Sequence, residues 1–158
     1  MNAKRYVWLY FVLISIGLVH AQRTTPIQWE IVPIKKTSVG ETVVLLFKAN
    51  IQPLWYLYSN NKKGNTHKNS SFWFYNNNNK FKIIEKPEAI YEIEYFNRKI
   101  NQKEYIIEEE GGFAQKIKVL KPNPIIKGQI NYLLCNRGNN QEIPQVYHFE
   151  IQLKTKNK

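Results

Sequence analysis

The run Ile130-Asn131-Tyr132-Leu133-Leu134-Cys135-Asn136 ends on the only cysteine of the chain. Its chemistry would be that of a thiolate, a nucleophile toward disulfides and a soft metal ligand. One thiol cannot close an internal disulfide, so Cys135, leading into the turn-rich Asn136-Arg137-Gly138-Asn139-Asn140, is a free thiol, half of an intermolecular bond, or half of a site whose other half is missing. Strand periodicity places Leu133 and Cys135 on one face and Tyr132 and Leu134 on the other. On that pattern the thiol also fits as a small buried hydrophobe.

Other chemistry finds little support. Beyond the first 21 residues the only histidines are His67, in a polar stretch, and His148, which alternates outward in Tyr147 to Leu153; each reads as solvent-facing. No Cys/His/carboxylate cluster has metal-ligand spacing, and no glycine-rich loop leads into a helix to cradle a phosphate. No cofactor is therefore expected. The contiguous block Glu108-Glu109-Glu110 before Gly111-Gly112 reads as a charged hairpin end, because a calcium loop spaces its oxygen ligands. Trp29, Trp55, Phe72 and Phe74 fall on strand patterns and read as core rather than as a stacking platform.

The elements that must position Cys135 are strands. Val43-Val44-Leu45-Leu46-Phe47 is a continuous apolar run of the kind buried in a sandwich. Phe113, Ile117 and Val119 alternate with Lys116 and Lys118, and Tyr147, Phe149, Ile151 and Leu153 alternate with His148, Glu150 and Gln152. Shorter strands are expected at Ile27–Ile31, Trp55–Ser59, Phe72–Tyr75, Phe81–Ile84 and Tyr105–Glu108. Breakers recur about every ten residues, at Gly40, Pro53, Gly64, Asn76 to Asn79, Gly111-Gly112 and Pro122-Asn123-Pro124. No window of helical period has convincing caps. Such spacing predicts an all-β fold, a single immunoglobulin-like β-sandwich, with Val43, Leu45, Phe47, Ile117, Val119, Ile130 and Tyr132 in one core.

Lys4 and Arg5 precede the apolar run Tyr6 to Val19, and Val19-His20-Ala21 suits a signal peptidase. Residues 1–21 read as a cleavable signal peptide, which places residues 22–158 in the periplasm or outside the cell. The run is shorter than the roughly 20 apolar residues a membrane-spanning helix needs, so no span is expected after cleavage. Removal leaves 158 − 21 = 137 residues with a net charge of about (23 − 2) − 12 = +9, enough chain for one core without disulfides. The lysines are scattered over strand edges, turns and tail, and every acid is glutamate. That distribution reads as a solvated surface, with a basic polyanion-binding sandwich as an alternative; no nucleic-acid partner is expected.

Trp55-Tyr56-Leu57-Tyr58-Ser59, Phe113 to Val119, Ile126 to Asn136 and Ile143-Pro144, in that order, resemble the N-terminal periplasmic domain of the thiol:disulfide interchange protein DsbD, in forms common among Bacteroidetes-like bacteria. The resemblance runs from about Ile27 to Leu153. It implies an immunoglobulin-like fold and a relay that takes electrons from a membrane-embedded transporter and hands them to periplasmic thioredoxin-like proteins through two cysteines. Cys135 matches the first cysteine, while the second, the sulfur that meets the partner, would fall near Asn140 or Gln141, neither of which is cysteine. The family's covering loop, with a phenylalanine over the pair, corresponds to Glu94-Tyr95-Phe96-Asn97, making Tyr95 and Phe96 the cap residues. A relay that returns to its starting state needs a resolving thiol. The resemblance with this departure predicts a redox-inactive interaction module derived from the family and resembling a detached first domain. Its implied partners are thioredoxin-like proteins or a DsbD-type membrane protein, and an electron-transfer partner of a separate membrane protein is the alternative.

Overall fold

In a computed structural model, residues 25–32, 36–61, 68–75 and 79–156 are described. The segment read as a signal peptide and His67 lie outside them. Eleven strands and no helix occur among the described residues. They are β1 (Ile27–Ile31), β2 (Thr42–Ile51), β3 (Trp55–Tyr58), β4 (Ser71–Phe74), β5 (Phe81–Ile83), β6 (Glu88–Ile90), β7 (Ile93–Asn97), β8 (Gln102–Glu108), β9 (Glu110–Val119), β10 (Ile125–Asn136) and β11 (Gln141–Gln152).

Two antiparallel sheets result. One has the order β1-β2-β9-β5, with β6 also on β9; the other has the order β11-β10-β3-β8-β7, with β4 sharing the β3 side of β10. The inner faces meet in a single core that includes all seven residues named from the sequence: Val43, Leu45, Phe47, Ile117, Val119, Ile130 and Tyr132. Aromatic rings tie the sheets together. Phe47 of β2 lies 4.8 Å from Phe149 of β11 and 5.6 Å from Phe72 of β4, and Phe113 of β9 lies 5.0 Å from Phe72. Such offset and edge-on pairs add to the area burial of the rings. Trp29, Trp55, Phe72 and Phe74 pack against this core, as their strand positions imply.

Three features differ from the sequence reading. The run Val43 to Phe47 is not buried on both faces: Val44 stands on the outer face, 43% exposed, between buried Val43 and Leu45. The Glu108-Glu109-Glu110 block is not a hairpin end. Glu108 closes β8 in one sheet and Glu110 opens β9 in the other, so Glu109, at φ 50°, is the crossing between sheets. The third difference is the pair of strands β6 and β7 in a stretch where the alternation predicted none. Gly112 fits this crossing because φ is 146° and a Cβ there would stand 1.9 Å from the Phe47 carbonyl oxygen, a position closed to any side chain.

The alternation along β9 makes a direct stability test. Ile117 is fully buried while Lys118 faces outward. Ile117→Ala should lower the unfolding free energy by about 2 to 5 kcal/mol, and Lys118→Ala by under about 0.5 kcal/mol, in urea titrations followed by tryptophan fluorescence.

Candidate functional site at Cys135

Alternation along β10 sends Leu134 into the core between the sheets and Cys135 to the opposite face of its own sheet. That outer face is not open to solvent at Cys135. A second apolar cluster forms there from Cys135, Tyr58 and Ile106, with Tyr56 and Leu133 packed against it, and Cys135 is only 2% exposed. The ladder sets its neighbours: Cys135 pairs with Tyr56 of β3 on one side and with Glu142 of β11 on the other. Gln141 pairs with Asn136, and Asn140 lies in the turn with φ 54°. The Asn136 side chain builds that turn by accepting from the Gly138 N–H at 2.7 Å and the Asn139 N–H at 3.2 Å, a local arrangement that short amide side chains favour.

Charged groups frame the thiol. Lys68 Nζ donates to Glu142 Oε1 at 2.6 Å and stands 5.3 Å from the centre of the Tyr58 ring. The Arg137 guanidinium lies 5.3 Å from the rings of both Tyr56 and Tyr95 and pairs with Glu108, so one side chain joins β10, β3, β8 and β7. Below them Tyr58 donates to the carboxylate of the buried Glu104, 3.3 Å away, which also accepts from Asn97 Nδ2 at 3.1 Å.

Burial, with the Glu142 carboxylate nearby, pushes the Cys135 thiol up to about 12. Burial also raises the Tyr56 and Tyr58 phenols above their usual range. All three groups are held protonated in the folded chain. Unfolding lets the thiol ionise near 9.0 and the phenols near 10.0, so their contribution to stability is complete below about pH 9 and is lost as pH climbs toward the folded values. At pH 10.5 the unfolding free energy in urea should be lower than at pH 8 by about 2 kcal/mol or more. Cys135→Ala should remove part of that difference.

Over the thiol lies a groove of about 860 Å³ whose lining includes Tyr56, Tyr58, Lys68, Tyr95, Phe96, Arg137 and Glu142. Asn140 and Gln141 line it too. The structure therefore brings together every site residue singled out in the sequence: Cys135, Tyr95, Phe96, Asn140 and Gln141. The segment matched to a covering loop is not a loop but the edge strand β7, paired with β8 through Tyr95 opposite Glu104 and Phe96 opposite Lys103. Tyr56, Tyr58, Lys68, Arg137 and Glu142 were not singled out as site residues. The alternation of Tyr56 and Tyr58 marks them as one face of β3, but only the pairing with β10 brings that face to the thiol. Elsewhere, His148 is exposed and lies 3.3 Å from the Tyr75 hydroxyl. Among the described residues no group of three His, Cys, Asp or Glu could hold a metal, and no helix is long and apolar enough to cross a membrane.

No protein-family model and no curated protein matches the chain. Solved structures do. The reduced N-terminal domain of Neisseria meningitidis DsbD superposes with a TM-score of 0.52 at 14% identity, over 82% of this chain and 86% of that one. The fold is that of a DsbD N-terminal domain. The N-terminal periplasmic domain of ScsB from Proteus mirabilis is similar as well, with a TM-score of 0.54 at 12% identity over 80% of this chain; the match spans 45% of the ScsB chain. The DsbD-type sandwich accounts for the immunoglobulin-like architecture expected from strand spacing.

Proposed function

We propose that this chain is an exported docking domain of the DsbD N-terminal type, comprising residues 22–158 after loss of residues 1–21. It binds thioredoxin-like proteins or a DsbD-type membrane protein of the periplasm in the groove over Cys135 and passes no electrons itself. The observation that carries this reading is the thiol's surroundings. Cys135 is buried, is held protonated, and faces a glutamate across the ladder where a second sulfur could stand. At neutral pH a thiol of that acidity is thiolate in only about one molecule in a hundred thousand, and the thiolate is the attacking species. A mixed disulfide formed at Cys135 would have no neighbouring thiol to resolve it. The groove is nonetheless built for contact. Tyr95, which the pairing with Glu104 sets on the thiol's face of the sheet, is 38% exposed beside the Arg137 side chain, and aromatic and arginine side chains dominate binding hot spots.

Non-covalent docking separates this reading from a thiol-based one. Titration of a periplasmic thioredoxin-like protein into the purified chain should give the same affinity for the native form and for Cys135→Ser, while Tyr95→Ala should weaken it by about tenfold or more. Loss of binding in Cys135→Ser with Tyr95→Ala unaffected would refute it.

A further inference from the structure

The cations of the groove are not equivalent, and the difference indicates what its partner carries. Lys68 is neutralised by Glu142, 2.6 Å away, and Arg137 by Glu108. Arg98 and Lys99, in the turn that follows β7, line the same groove, are exposed, and have no ion pair among the described residues. Of the other carboxylates nearby, Glu94 is taken by Lys103 at 2.8 Å and Glu104 is buried beneath Tyr58 and Asn97. Two uncompensated positive charges therefore stand beside exposed apolar surface, with Tyr95 at 38% and Ile100 at 52% exposure.

We infer that the groove takes a protein segment carrying an apolar side chain flanked by carboxylates, the apolar group against Tyr95 and Ile100 and the carboxylates against Arg98 and Lys99. This rests on the docking reading above and names the chemistry of the partner. A carboxylate at the rim adds long-range attraction that steers encounter and suppresses basic competitors. A nucleic acid or other polyanion is the poorer fit. Such ligands neutralise many charges along a track, whereas among the described residues two free cations line this groove and the Glu142 carboxylate lies within it.

The test uses two synthetic peptides with the same Phe-Ile centre, one flanked by glutamates and one by lysines, titrated into the isotopically labelled protein and followed by amide chemical shifts. The glutamate peptide should move the amides of Phe96, Arg98, Ile100 and Arg137 and bind about tenfold or more tighter than the lysine peptide at low salt, with the advantage shrinking as ionic strength rises. The double variant Arg98→Glu/Lys99→Glu should reverse the preference. Lys82→Glu, on β5 of the other sheet, should leave it unchanged. Equal binding of both peptides in the groove would overturn the charge inference and leave the docking reading standing. The charge inference would also fall if Lys82→Glu mattered as much as the turn variant. A heparin fragment moving the same amides at lower concentration than the glutamate peptide would overturn it in favour of a polyanion site. Shifts nowhere in the groove with either peptide would remove both readings.

Discussion

Native Cys135 should react with a maleimide or disulfide reagent at pH 7 at least about a thousandfold more slowly than the same cysteine in denaturant. Two effects multiply. Holding the thiol near 12 instead of its ordinary 9.0 reduces the thiolate fraction by about three powers of ten, and 2% exposure adds a steric barrier. The pH profile distinguishes them. If the native state itself reacts, the rate should rise about tenfold per pH unit well beyond pH 9, whereas the unfolded thiol levels off there. Labelling of the native chain at neutral pH as fast as in denaturant would establish an exposed thiolate.

Replacement of Glu142 by cysteine should create a reducible internal disulfide with Cys135, and replacement of Gln141 or Asn140 should not. Directly opposed residues of an antiparallel pair have Cα atoms about 4.5 to 5.5 Å apart, inside the roughly 4.4 to 6.8 Å window of a disulfide. The ladder opposes Cys135 with Glu142. Gln141 is opposed to Asn136, one residue out of step, where side chains point to the other face. Sequence resemblance alone sets the second sulfur near Asn140 or Gln141; the register moves the bridging position to Glu142. Non-reducing mass spectrometry of the three variants decides it. Oxidation should stabilise Glu142→Cys by about 2 kcal/mol against its reduced form, from the short loop it closes. Bridging by Gln141→Cys in preference to Glu142→Cys would mean that the β10–β11 register is shifted by one residue.

What was legible in the sequence follows burial. β2, β9 and β10 each bury one face deeply, so Leu45 and Phe47, Ile117 and Val119, and Ile130 and Tyr132 recur at period two, while β11 alternates between exposed and half-buried positions around buried Phe149. β6 and β7 leave no such trace. All of Ile93, Glu94, Tyr95 and Phe96 are exposed, and an edge strand without a buried face has no alternation to read. Cys135 and its face could be read because they depend on one strand. Its true neighbours could not: Tyr56 and Glu142 meet it through the register of two separate pairings, and Arg137 through a turn whose length only the folded chain fixes. Single-strand patterns report which side a residue faces, while a site assembled from five elements depends on how those elements align.

The central claim, docking without electron transfer, is tested most directly by mixing the reduced protein with an oxidised thioredoxin-like partner and following partner reduction, with a non-reducing gel for covalent complexes. The account predicts no reduction of the partner above the buffer rate and no disulfide-linked species, under conditions where the two proteins associate. Reduction of the partner that depends on Cys135, lost in Cys135→Ser, would contradict it.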